Sequence, residues 1–194
     1  MKKIKWILPL LFAVALVSCE EDYVPKPLGK LRVSFPENEL YHFSDSTCPF
    51  EFDVPKYAFV VAKDSTGKSC HKNIFLPYFN ATLYGSYVPI SSEEELFNNL
   101  NLSQDLAYEH RVKASSIDEK LISNDSTKVY GQIFRINGNV ASNFQFYITD
   151  SVNHFFRGAL YFNVKPNIDS LKPSLDFVTA DFEKMIGSFS WENK

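Results

Sequence analysis

The three cysteines are the residues through which this chain can do covalent chemistry, and they separate by position: Cys19 closes an apolar run, whereas Cys48 and Cys70 lie in the body of the sequence. Leu16-Val17-Ser18-Cys19 has the form of a lipobox, in which the thiol takes a diacylglyceryl group and the chain is cut before it, making Cys19 the mature N-terminus. An ordinary secretory signal with an incidental cysteine leaves the Ser18-Cys19 ending without a role, so lipidation of Cys19 is expected. Each buried CH₂ of an acyl chain contributes about 0.8 kcal/mol, so two or three chains hold far more firmly than one myristoyl group. Export also takes Cys48 and Cys70 out of the reducing cytosol, and a disulfide between them is the expected outcome. In the chain-entropy account a loop of that size stabilises the fold by about 3 kcal/mol. His42 and His71 lie near these thiols in sequence. A two-cysteine, two-histidine metal site is therefore the alternative, but the spacing lacks the paired C-x₂-C and H-x₃-H pattern of structural zinc, and no metal is expected.

Other chemistry finds little support. The chain has no G-x-S-x-G elbow, H-E-x-x-H helix, P-loop or paired glycines at dinucleotide spacing. Ser65 to Lys68 and Ser69 to Lys72 match S-x-x-K, but both fall in a turn-rich stretch without the helix and partner motifs that would make serine a nucleophile. His110 lies on a helical stripe, where a packed histidine at the core edge is the plain reading. His154 with Arg157 is a candidate polar site on a sheet face, weighed against solvent contact at a hairpin end. No catalytic residue, cofactor or small-molecule substrate is expected, and the chain reads as a non-enzyme.

The elements that would position these residues begin with Lys2, Lys3 and Lys5 ahead of the apolar stretch Trp6 to Val17. That stretch has the length of a signal h-region; it is shorter than the roughly 20 residues a membrane-crossing helix needs, and Pro9 interrupts it. Residues 1–18 are thus assigned to the signal. Residues 19–30, with three acids, Pro25, Pro27 and Gly29, read as an extended tether, and 31–194 as one globular domain. Without the signal the chain has 17 basic and 23 acidic side chains, net −6, and no basic run, which argues against nucleic-acid binding. Eighteen phenylalanines suit a sheet-rich core with cross-strand ring pairs.

Strands are expected at 31–35, 50–54, 57–62, 73–77 and 81–88, punctuated by Pro36, Pro49, Pro55 and Pro77. Ser91 and Ser92, each followed three residues later by Glu94 or Glu95, mark a helix start. Leu96, Leu100, Ala107, His110 and Ala114 carry its stripe over about 92–115. Residues 129–164 alternate as a three-stranded antiparallel meander whose two faces imply a sheet covered on one side by helix. After Pro166 and Pro173, Leu175, Val178, Phe182, Met185 and Phe189 recur as a core-facing helix requires, closing near Gly187. The fold class is α+β: an antiparallel sheet with a C-terminal three-stranded meander, packed against two main helices. It has some likeness to sheet-and-helix lipoprotein domains of the PsbP kind, a fold analogy without functional content.

The lipobox, the lead-in DYVPKPLGKLRVSFP (22–36), Cys48-Pro49, LAYEHRVKA (106–114) and above all VYG…GNVAS…QFYITDS…HFFRGALYFN (129–163) resemble the gliding-motility lipoprotein GldD family. The resemblance covers nearly the whole chain. It implies a cell-envelope lipoprotein needed for gliding and tied to the type IX secretion machinery. Its implied partners are the membrane, through the lipid anchor, and other gliding or secretion proteins. It carries over no active-site residue. Glu20-Glu21-Asp22 after the lipidated cysteine would serve as a sorting signal, to the cell surface in related bacteria and to the inner membrane in others. In bacteria related to this family, Asp-Ser/Thr triplets resemble O-glycosylation acceptors. Five occur here, placing candidate serines at Ser46, Ser65, Ser126, Ser151 and Ser170, all in predicted turns. Asp-Ser is also favoured in turns for its own hydrogen bonding. The alternative function is an envelope glycan- or peptidoglycan-binding module that uses aromatics exposed on the sheet. A third reading, an envelope hydrolase, would require His110, His154 or Ser65.

Overall fold

A computed structural model describes residues 34–192 apart from 65, 67 and 68. The signal, Cys19, the tether and Ser65 lie outside the described residues. Of the strand expected at 31–35, only Ser34 and Phe35 are described, and neither is in a strand. The first strand is β1 (Leu40–Ser44), followed by β2 (Phe50–Pro55), β3 (Phe59–Ala62), β4 (Lys72–Leu76) and β5 (Ala81–Pro89). Helix α1 (Glu93–Tyr108) precedes β6 (Ala114–Asn124), β7 (Val129–Gly138), β8 (Phe144–Thr149) and β9 (His154–Phe162). Helix α2 (Ile168–Ser188) and the short β10 (Ser190–Trp191) complete the described elements. They form two antiparallel sheets, β1-β2-β10 and β3-β4-β5-β9-β8-β7-β6. The architecture is α+β, and the meander β7-β8-β9 sits where alternation places it.

Helix α1 starts where its caps dictate. The Ser92 side chain accepts the Glu95 N–H at 3.2 Å, and the Glu95 carboxylate accepts the Ser91 N–H at 2.8 Å. Glu93, Glu94 and Glu95 place negative charge at the positive end of the helix dipole. The expected extent to 115 is too long. Helix α1 ends at Tyr108, a 3-10 turn takes Glu109–Val112, and Ala114 already opens β6. Strand β6 escaped the reading because it is an edge strand with polar residues on both faces, which protects the sheet from pairing with another chain but erases the period-2 signal. Helix α2 begins ahead of Pro173, which lies within its second turn and forfeits one backbone bond. Phe189 falls just past the helix in extended backbone, yet remains buried.

The seven-stranded sheet is covered on its inner face and, over β7, β8 and β9, on its outer face as well, which corrects the one-sided expectation for the meander. On the inner face, Phe144, Phe146, Ile148, Phe156 and Leu160 meet Phe50 and Phe52 of β2 and Val178, Phe182 and Met185 of α2. On the outer face, Ala107 of α1 packs with Phe134, Ile136 and Tyr147. The reason lies in the pleat, because β7 and β8 carry apolar residues at both parities. Phenylalanine rings run through the inner core: Phe50 meets Phe156 edge-on at 5.3 Å, and Phe52 stacks on Phe189 at 5.6 Å.

Two of these rings sit on glycines. Gly85 and Gly158 face each other across β5 and β9, and a Cβ on either would run into Phe156 or Phe146 respectively. We expect Gly158→Ala to cost about 1–3 kcal/mol through overpacking, measured by urea denaturation. Unchanged stability would show that the Phe146 ring can leave its seat freely.

Candidate functional site

Helix α1 packs over β8 and β9 and leaves the outer face of β3, β4 and β5 without a covering element among the described residues. The register places Phe59 opposite Phe75 and Val61 opposite Asn73 on that open face, followed by Tyr84 opposite Ala159. Phe59 is 58% exposed and Tyr84 45%, so this is an apolar and aromatic surface in water. Its inner boundary is a trough of about 450 Å³ between β5 and β9. Tyr84 and Tyr161 meet edge-to-face at 5.7 Å along the trough, the short Ala159 lies between flanking strands, and Arg157 faces Ser86 across the register. Arg157 donates from Nη2 to the Gln145 side-chain oxygen at 2.5 Å. Burial pulls the guanidinium below its usual range, although an arginine so placed stays charged. His110, in the 3-10 turn after α1, is held below the ordinary histidine range by burial, against the opposing Glu109 carboxylate and with a smaller contribution from the Arg157 charge.

His154 and Arg157 do not form the shared polar site their spacing suggested. Three positions along a strand put them on opposite faces of β9. His154 instead stacks on Trp191 at 5.1 Å, with its Nδ1 2.8 Å from the Tyr87 hydroxyl. Nearby, Asp150 Oδ1 accepts the N–H groups of Val152, Asn153 and His154 at 2.8–3.0 Å. Burial would raise the Asp150 carboxyl, but these three donors outweigh it and hold it below the usual range.

Cys48 and Cys70 are joined as a disulfide with Cα atoms 5.4 Å apart. The bridge fastens the β1–β2 connection to the segment before β4. Three residues before Cys48, Asp45 makes an ion pair with the buried Lys72, Nζ to Oδ2 2.6 Å. The neighbouring histidines turn elsewhere: His42 contacts Asp53 and Glu51 at 3.0 and 3.2 Å, and His71 Nδ1 accepts the Tyr87 N–H at 3.1 Å. Lys72, half of one S-x-x-K match, is thus a packed structural cation.

Ser46, Ser126 and Ser151 are exposed in the turns after β1, β6 and β8. Ser170 is exposed too, but it sits in the first turn of α2, so the placement of all five serines in turns needs correcting there. The carboxylates do shape some of these turns, since Asp45 Oδ1 accepts both the N–H and the hydroxyl of Thr47 at 2.9 and 2.7 Å. Tyr84, Ser86 and Tyr161 escaped residue-by-residue reading. Their only sequence signal was alternation within two strands distant from each other in the chain.

The sequence profile of the family described as gliding motility lipoprotein GldD matches residues 20–191. No curated protein matches the chain. Among solved structures, the chain is similar to the solution structure of cyanobacterial PsbP (CyanoP) from Synechocystis sp. PCC 6803, with a TM-score of 0.51 and 15% identity. That similarity covers 85% of this chain and 99% of the other. At such identity it speaks to the fold alone, a PsbP-like α+β arrangement.

Proposed function

This chain belongs to the gliding motility lipoprotein GldD family, and from that premise we propose that it serves gliding as a non-enzymatic accessory of the type IX protein secretion machinery. In this reading acyl chains on Cys19 hold it to a membrane of the cell envelope, facing the periplasm or the cell surface, and it works by protein contact. The observation that carries the reading is the family match over residues 20–191. Two further features support it. No helix among the described residues is long and apolar enough to cross a membrane. The open face of β3, β4 and β5 displays Phe59, Phe75 and Tyr84 to solvent, as a contact surface does.

Deletion of the gene tests it. Cells without the protein are expected to lose both spreading on agar and secretion of adhesin cargo, and the wild-type gene to restore both. A Cys19→Ser gene is expected to restore neither and to yield a protein without acyl label. Deleted cells that spread or secrete like their parent would overturn the proposal. His110→Ala and His154→Ala proteins are expected to support motility. A folded, normally expressed variant of either that fails to do so would point to catalysis instead.

A further inference from the structure

Of the described lysines and arginines, Lys72 is buried and Arg157 half-buried, and the others are exposed. Lys72 is matched by Asp45. Arg157 makes no ion pair with any described residue, and its one side-chain hydrogen bond among them goes to the neutral amide of Gln145. Even partial withdrawal of a charge from water without a counter-charge carries a cost, and a folded chain commonly pairs such a group. The guanidinium also keeps most of its five donors for something else, in a fork that fits the two oxygens of a carboxylate.

What surrounds the fork narrows the ligand. The register opposes Ser86 to Arg157, Tyr84 to Ala159 and Thr82 to Tyr161, so the charge, a serine hydroxyl and two phenol rings converge on one trough. Neither the Ser86 hydroxyl nor those of Tyr84 and Tyr161 make a hydrogen bond with a described residue, and Tyr161 lies within electrostatic reach of Arg157, so all three hydroxyls are open to a ligand held there. Ala159 keeps the floor low beside the rings, and the trough's 450 Å³ falls within the roughly 300–1,000 Å³ usual for small-molecule sites. An inorganic anion would use the fork but neither ring, and a neutral sugar would stack on tyrosine but leave the guanidinium uncompensated. We propose that the β5–β9 trough binds a carboxylate-bearing sugar of an acidic glycan, with the carboxylate on Arg157, the pyranose against the tyrosine rings and its hydroxyls bonded to Ser86 and the phenols. This site is independent of any contact with secretion proteins.

Calorimetric titration of the full mature chain in detergent with tetragalacturonate, chitotetraose and inorganic phosphate tests it. Tetragalacturonate is expected to bind at least about tenfold more tightly than chitotetraose, the discrimination that one charge-assisted pair supplies. Arg157→Gln is expected to weaken it by about tenfold or more. Ser86→Glu sets a carboxylate opposite the guanidinium and is expected to abolish binding while leaving the melting temperature unchanged or higher, which separates an occupied site from a misfolded one. No binding of tetragalacturonate by the wild type, equal binding of chitotetraose, displacement by equimolar phosphate, or undiminished binding by a folded Ser86→Glu protein would each overturn the assignment.

Discussion

Reduction of the Cys48–Cys70 bridge is expected to lower the stability of the domain by about 3 kcal/mol and its melting temperature by roughly 6–12 °C. The size follows from the 22-residue separation of the two cysteines. Opening the bridge returns loop-closure freedom to the unfolded chain while changing little in the folded one. The loop concerned contains all of β2 and β3, strands from the two different sheets, so in the unfolded ensemble the bridge restricts chain segments that supply both sheets. Scanning calorimetry with and without reductant measures the effect, and intact mass records the gain of two hydrogens. A replacement of both cysteines by alanine should reproduce it. A melting temperature indifferent to reductant, with the mass change confirmed, would refute this loop-closure account of the bridge.

Asp45→Asn is expected to cost about 3 kcal/mol, because it leaves the Lys72 ammonium buried beside a neutral amide. Lys72→Met should cost less. An apolar side chain suits that environment, and the abandoned Asp45 carboxylate is 22% exposed and still holds Thr47. The order of the two variants in urea denaturation is therefore the test, and a larger loss from Lys72→Met would refute the account. The same pair predicts acid sensitivity. The hydrogen bond from Lys72, then that from the Thr47 backbone, hold the Asp45 carboxyl at about 2, below its ordinary value. A carboxyl lowered in the folded state adds stability that is complete above about pH 4 and lost as pH falls toward 2. With partial solvent screening this amounts to about 1–2 kcal/mol. Since bridge and ion pair fasten the same connection to β4, removing both should cost something other than the sum.

Local order was legible wherever one face of an element meets the core. The capping signals at Ser91 and Ser92 located the start of α1, and alternation placed the meander because Phe144, Phe146 and Ile148 all point inward. Strand β6 was not legible, because an edge strand dressed in charge on both faces carries no alternation. The helix stripe extended past Tyr108 for a related reason. Ala114 lies on the buried side in either conformation, and pairing with β7 decides that it is extended.

The amino-acid order by itself determined the family, the α+β class and the strands of the meander, since each is written in contiguous residues or a short period. Tertiary structure alone decided that His154 and Arg157 part company across the pleat, that Lys72 is buried against Asp45, and that Arg157 shares a trough with Ser86 and two tyrosines. Those relations depend on strand register, and register is set by hydrogen bonds between segments far apart in the chain, where a one-residue slip would send every side chain to the other face.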